Sequence, residues 1–312
     1  MDTILYAILR TARPRQWVKN LALFTTILFT GHFFETHALT QTLIAFIAFC
    51  LLSSSNYIFN DILDAPYDRK HPFKKFRPVA SGKLPIPIAA VASILLGIVG
   101  LLISHTVSNS FFVISIGFAI LQYSYTLFLK RITVVDILTI TTAYFLRVYA
   151  GEAATGYHIS IWLALAALSL ALFLAIGKRR AELTLLQKYQ GVVPRDTREA
   201  LSHYSEKLLD TYTAMFANST FITYAFYTFL ERPANQGIFF KNYYDFALDI
   251  SGRKWLMISI PFVLFGIMRY MQLIYEGKGE SPEKILMSDL PLLSTVIMWI
   301  LSIFVVVYGI GA

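Results

Sequence analysis

Between residues 60 and 83 the chain reads NDILDAPYDRKHPFKKFRPVASGK. Asn60, Asp64 and Asp68 recur at every fourth residue and would share one face of a helix, with Asp61 adding a further carboxylate. Pro66 removes a backbone donor and crowds the preceding turn, so a loosened helix is expected at 62–66. Carboxylates at a helix C-terminus repel one another and face the negative end of the helix dipole. A divalent cation resolves that conflict. Oxygen-only ligands from Asp and Asn suit Mg²⁺, which takes one or two carboxylates together with phosphate oxygens and water. The cations that follow, Arg69, Lys74, Lys75, Arg77 and Lys83, suit the phosphates themselves. The chemistry expected here is capture of a metal-bound diphosphate. A solvated basic loop would account for the cations. It would not account for Asn60, Asp61, Asp64 and Asp68 running back into an apolar stretch, where ionisable groups are costly and usually functional.

That apolar stretch is one of many. Of the 312 residues 56% are hydrophobic and 15% charged, against about a quarter charged in a soluble domain. Runs of apolar residues close to bilayer-spanning length predict a single all-α membrane domain over 1–312 with nine spans. The spans fall at roughly 20–35, 40–60, 86–106, 109–129, 134–152, 159–178, 211–230, 254–275 and 289–310. Residues 1–19 read as a cytoplasmic interfacial segment with a short helix at 3–12. No small-residue cleavage site follows a short apolar core, so the first apolar stretch is expected to be retained. The lone Cys50 excludes an internal disulfide and a Cys-based metal site.

The charge pattern predicts orientation. Loop cations crowd one side: Arg69 to Lys83, Lys130 and Arg131, Lys178 to Lys207, and Lys278 and Lys284. The other side has Arg232, Lys241, Arg253 and Lys254. The bias implies an N-in, C-out bundle in the inner (plasma) membrane whose acidic motif, at the end of span 2, faces the cytoplasm. The net charge of +8 is thereby attributed to cytoplasmic loops and anionic lipid, and nucleic acid is not an expected partner. Active-site loops are expected at 61–85 and 178–210, with an amphipathic surface helix near 195–209.

An Asn-x-x-x-Asp-x-x-x-Asp motif at the end of the second of nine spans resembles the UbiA superfamily of intramembrane prenyltransferases. Those enzymes hold a prenyl diphosphate through Mg²⁺ with two acidic motifs, the second near the end of span 6. Here that position reads Gly177-Lys178-Arg179-Arg180-Ala181-Glu182-Leu183, with cations in place of the second aspartate pair. The strings RPRQWVKN (13–20), LKRITVVDILTI with Arg147 and Gly151 after it, GKRRAEL, and MRY (268–270) followed by Gly279, Pro282, Glu283 and Asp289 resemble the decaprenyl-phosphate phosphoribosyltransferase branch of that superfamily. The matches keep their order over most of the chain.

The resemblance implies transfer of 5-phosphoribose from phosphoribosyl diphosphate to a polyprenyl phosphate, with diphosphate released, in a pathway to arabinan precursors of the cell wall. Each terminal phosphate brings about −1.5 to −2 charges, which the basic run at 178–180 would help to offset. Displacement at ribose C1 would then use Asp64 and Asp68, with Asn60 or Asp61, to hold Mg²⁺ on the leaving group. The lipid phosphate is already an anion, so no strong base is needed, and the sequence offers no His or Cys constellation to supply one. Candidate substrate contacts are Lys19, Arg69, Lys74, Arg77, Lys130 and Lys178, with Arg179 and Glu182 on the facing loop. Asp136, as a contact for metal or sugar hydroxyls, and Arg269, as a contact in the cavity, complete the candidates; pairing with Lys130 or Arg131 explains Asp136 equally, and snorkelling to headgroups Arg269. Arg147 reads as a buried partner of Glu152. An aromatic prenyltransferase of the same fold is the alternative enzyme. A transporter is disfavoured, because no internal repeat is evident and the charged constellation lies at one face. Oligomeric state, lipid chain length and the helices lining an isoprenoid groove are left open by the sequence.

Overall fold

The computed structural model describes residues 2–69, 74–188, 199–230, 254–277 and 282–310. No strand occurs among the described residues. In chain order the elements are α1 (Asp2–Ala12), a 3-10 segment (Pro14–Phe24), α2 (Thr25–Phe29), α3 (Thr36–Asp68), a 3-10 turn (Lys74–Phe76), α4 (Ile86–Val107), α5 (Asn109–Leu127), a 3-10 turn (Leu129–Arg131), α6 (Val135–Thr155), α7 (Ile161–Lys188), a 3-10 turn (Glu199–His203), α8 (Glu206–Leu230), a 3-10 turn (Trp255–Ser259) running into α9 (Ile260–Tyr275), α10 (Pro282–Ser288), and α11 (Leu290–Phe304) with a π-helical end (Val305–Ile310).

Among the described residues six helical stretches are long and apolar enough to cross a membrane: Thr36–Asp68, Ile86–Val107, Asn109–Leu127, Ile161–Thr184, Trp255–Tyr275 and Leu290–Ile310. Helix α6 differs in carrying Asp136 and Arg147 as buried groups, and α8 opens on charged residues and runs through several threonines. The outer faces of α4 and α5 present Ile94, Leu95, Leu102, Val113 and Ile120 as exposed side chains. Bare apolar faces of this kind suit lipid rather than water. Inside, Phe49, Phe111 and Phe118 stack into one core with Leu23, Ala143 and Ala150. Helices α3, α4 and α5 are joined by a small polar relay. The Ser55 hydroxyl donates to the Ser93 carbonyl at 2.6 Å and lies 2.7 Å from the Tyr123 hydroxyl. Short hydroxyl side chains are effective ties between helices where water is scarce.

Three local expectations change. Helix α3 does not loosen at 62–66 but continues through Pro66 to Asp68. Pro66 gives up the helical bond to the Ile62 carbonyl, yet the helix continues beyond it and its last turn is closed by the Arg69 N–H on the Ala65 carbonyl at 3.1 Å. Residues 61–68, expected in a loop, are therefore helical. The expected loop 178–210 is likewise helical to Lys188 and again from Glu206, while residues 189–198, which include the first residues of the amphipathic helix expected at 195–209, lie outside the described residues.

The first apolar stretch, expected as one helix over 20–35, is instead a 3-10 segment followed by a single α-turn. It begins at Arg13, whose backbone is left-handed with φ 54°, ahead of Pro14. It lies directly on the backbone of α6 at Gly151, where a Cβ would stand 2.1 Å from the Leu23 carbonyl oxygen. Asn20 fixes this crossing. Its amide accepts from Arg147 Nε at 2.8 Å and donates toward Cys50 Sγ at 3.3 Å. Arg147 thus serves Asn20 rather than Glu152, whose carboxylate holds His158 at 2.8 Å.

Candidate functional site

The last two turns of α3 carry the acidic residues, and each meets a cation from another element. Asp61 is 2% exposed and is held by Arg13, from the start of the N-terminal 3-10 segment, and by Arg77 Nη1 at 3.3 Å. The same Arg77 nitrogen donates to Asp68 Oδ2 at 2.7 Å. One turn away, Asn60 Nδ2 donates to Asp64 Oδ2 at 2.8 Å, and Lys130 Nζ donates to Asp64 Oδ1 at 2.8 Å and Asn60 Oδ1 at 3.4 Å. The helix therefore offers two subsites. Asp61 and Asp68 share Arg77, while Asn60 and Asp64 share Lys130.

These subsites differ in access. The Asp64 side chain is 29% exposed and that of Asp61 is 2% exposed. The Arg13 and Arg77 side chains are likewise partly exposed. Loop 74–84 brings Arg77 over the helix end. It is pinned by Arg69, whose Nε donates to the Ala80 carbonyl at 3.2 Å, and by the Leu84 N–H on the Pro78 carbonyl at 2.9 Å. Arg69 is thereby tied to the loop backbone. Lys74 is partly buried at the start of this loop, and Lys75 lies exposed over the Phe76 ring. His71 falls outside the described residues.

The charged run in the second half of α7 is arranged differently. Arg179 is 0% exposed, with Nε 2.5 Å from Asp136 Oδ2, Nη1 2.5 Å from Glu182 Oε2 and Nη2 2.9 Å from the Tyr125 hydroxyl. Tyr204 completes the knot by donating to Asp136 Oδ1 at 2.8 Å. Burial, and then the Asp136 carboxylate, push the Tyr204 hydroxyl above its ordinary pKa and keep it protonated as a donor. Arg180 is bound by Asp210 at 2.7 Å, Glu206 at 3.0 Å and Thr184 at 2.6 Å, which ties α7 to α8. Asp136 thus pairs with Arg179, not with Lys130 or Arg131. Lys178 makes no ion pair among the described residues.

Lys19 sits on the N-terminal 3-10 segment with its ammonium 3.3 Å from Glu283 of α10 and 5.9 Å from the Tyr144 ring centre. Gln16 donates to the same carboxylate at 2.6 Å. Arg269 stands apart from these networks. It donates to both oxygens of Asp289, at 3.1 and 2.6 Å, and to Gln272 at 2.9 Å. Asp289 also caps α11 through the Leu292 N–H. The structure therefore brings together Asn60, Asp61, Asp64, Asp68, Arg77 and Lys130. It gathers Asp136, Arg179 and Glu182 into a second cluster.

Arg13 and Glu283 are the groups that residue-by-residue reasoning passed over. Arg13 belongs to RPRQWVKN, but its reach to Asp61, 48 residues on, is a product of the fold. The donor set fits a divalent ion. Asn60 and Asp64 present adjoining oxygens, with Asp68 a turn further along the helix. Among the described residues no three His, Cys, Asp or Glu side chains converge into a full protein cage. Mg²⁺ needs none, since it keeps water and phosphate oxygens in most of its positions.

Comparison with known proteins identifies relatives of the chain. A model of the UbiA prenyltransferase family matches residues 21–180. A decaprenyl-phosphate phosphoribosyltransferase from Corynebacterium glutamicum is 31% identical over 96% of this chain and 86% of its own length. One from Mycobacterium tuberculosis is 29% identical over 95% of this chain and 92% of its own. The solved structure of a UbiA homologue from Archaeoglobus fulgidus bound to GPP and Mg²⁺ superposes with a TM-score of 0.70 at 18% identity, covering 96% of this chain and 99% of that one.

Proposed function

The chain belongs to the UbiA prenyltransferase family, and from that premise we propose that it transfers 5-phosphoribose from phosphoribosyl diphosphate to a polyprenyl phosphate, releasing diphosphate. The observation that carries the reading is the pairing of an acidic helix end with loop cations, one of which, Arg77, serves Asp61 and Asp68 together. The relatives aligned over nearly the whole chain are phosphoribosyltransferases by name, which supports a ribosyl donor over a prenyl one.

Asp64, Asp68 and Asn60 are assigned as the residues that would hold Mg²⁺. When bound, the ion supplies Lewis-acid stabilisation of the negative charge that develops on the leaving diphosphate. The chain's own residues do the rest. Arg77 and Lys130 now neutralise the carboxylates, and both are placed to turn toward an incoming diphosphate while staying within reach of the helix. Arg13 holds the deeply buried Asp61 and, through it, the position of Arg77. No residue is assigned as a strong base, because the attacking lipid phosphate is already anionic. Catalysis is then positioning and preorganised charge.

The three remaining crossings of a nine-helix bundle are assigned to the broken N-terminal pair, α6 and α8, with the N-terminus inside. That orientation places the site at the cytoplasmic face of the plasma membrane, in keeping with the cation bias of the loops.

The test is direct. Purified protein with labelled phosphoribosyl diphosphate, Mg²⁺ and decaprenyl phosphate is expected to yield a labelled lipid, and chelation of divalent metal is expected to abolish that product until Mg²⁺ is restored. No labelled lipid, with product instead from a prenyl diphosphate and an aromatic acid, would replace this assignment with a prenyltransferase.

A further inference from the structure

The backbone at Val134, just before α6, is strained. Its φ and ψ are 69° and −45°, close to the rare γ-turn conformation, and a β-branched side chain resists a positive φ. Such outliers persist only where surrounding contacts over-determine them. The side chains of Phe128, Arg131, Ile132 and Val134 are all exposed, so packing does little to fix this turn. A hydrogen bond does more. The Val134 N–H donates to the Tyr204 hydroxyl at 2.7 Å.

Tyr204 is well placed to hold it. The residue is 5% exposed and packs among Ile137, Ala175, Leu183 and Leu209, from α6, α7 and α8. A phenol gives one proton and can also accept. Its proton goes to Asp136 Oδ1 at 2.8 Å, which leaves the oxygen free to accept from Val134. A firmly packed side chain thus meets a turn with few anchors of its own.

That turn carries Lys130. Backbone bonds join it into one unit: the Arg131 N–H on the Phe128 carbonyl at 3.1 Å, the Ile132 N–H on the Leu129 carbonyl at 3.2 Å, and the Asp136 N–H on the Ile132 carbonyl at 3.0 Å. Val134 lies inside the last of these loops. From the same unit Lys130 Nζ reaches Asp64 Oδ1 at 2.8 Å and Asn60 Oδ1 at 3.4 Å. Rotation of the Val134 backbone would therefore be passed through Ile132 to the lysine.

We infer that Tyr204 is a positioning residue for the diphosphate subsite, fixing the strained 129–134 turn so that Lys130 meets Asn60 and Asp64. The inference rests on the transfer reading above, in which that subsite takes the donor's diphosphate.

A double-mutant cycle with Lys130→Met tests it. Full-length protein in detergent is titrated with inorganic diphosphate and Mg²⁺, and kinetics with phosphoribosyl diphosphate are followed in parallel. Tyr204→Phe removes only the hydroxyl. It is expected to weaken diphosphate binding about tenfold and to raise donor KM by a similar factor, with kcat near wild type. In the Lys130→Met background the same change is expected to have no further effect, because the hydroxyl acts through that lysine. Tyr204→Phe protein that binds as the wild type does, or losses that multiply in the double variant, overturns the positioning role. A tyrosine that merely stabilises the fold gives multiplied losses. If Tyr204→Phe does not fold, Val134→Gly is added to it, since glycine takes a positive φ without strain. Recovery of folded protein then supports the role, and failure to recover overturns it. Wild-type protein that shows the coupling but transfers no ribose overturns the transfer reading and leaves the positioning role standing. Wild-type protein that binds no diphosphate overturns both.

Discussion

Helix α3 ends in a run of charged residues and α7 carries one in its second half, yet the two runs are put to different use. On α3 the carboxylates borrow cations from the N-terminal segment, the 74–84 loop and the turn after α5, and Asp64 remains 29% exposed. On α7 the cations are consumed internally. Arg179 is closed in by Asp136, Glu182 and Tyr125, and Arg180 by Glu206 and Asp210. Counting charges along the sequence would offer all three cations at 178–180 to the substrate. The structure leaves Lys178 as the one of the three without an ion pair among the described residues. The basic run joins α6, α7 and α8, and the acidic run holds the more exposed carboxylate, Asp64.

Substitutions sharpen this contrast. The largest effect is expected at Arg179. Arg179→Met strands the buried Asp136 and breaks a desolvated pair, costing about 3–5 kcal/mol. It should appear as a large drop in melting temperature or loss of folded protein. A variant as stable as the wild type would show that the α7 knot is not structural. Next come Asp64→Asn and Asp68→Asn. Each should retain its melting temperature and lose about 10²–10³ in kcat, the scale of removing one stabiliser of developing charge. Wild-type turnover in either would remove that residue from the site. Lys130→Met should raise KM for the diphosphate donor by about tenfold to a hundredfold, read from initial rates at saturating lipid. The smallest effect is expected from Arg269→Ala, since its contacts are with Asp289 and Gln272. Donor kinetics should stay close to wild type, and a marked rise in KM would bring Arg269 back into the site.

The same contrast explains what the sequence made legible. The acidic motif could be read because its residues share one helix and their spacing is local. Its partners could be named as a class, loop cations, but not paired, because Arg13 with Asp61 and Lys130 with Asp64 join residues 48 and 66 apart. The α7 run was misleading for the same reason. Nothing local distinguishes an arginine aimed at a ligand from one locked by Asp136, a helix away in sequence. The long apolar helices were visible from composition. The break in the first stretch was not, since it depends on the left-handed Arg13 and on the fit of Leu23 against Gly151. The persistence of α3 past Pro66 was not legible locally, since proline is disfavoured there and the turn beyond it is held by a contact from another element, Asp68 with Arg77.

The central claim is that this acidic helix end serves a ribosyl donor. Competition between donors tests it most directly. Wild-type protein with Mg²⁺, decaprenyl phosphate and an aromatic acid is given equal amounts of phosphoribosyl diphosphate and geranyl diphosphate, and the consumption of each is followed. Phosphoribosyl diphosphate is expected to be consumed with formation of a phosphoribosylated lipid while geranyl diphosphate persists. Consumption of geranyl diphosphate with the ribosyl donor untouched would contradict it.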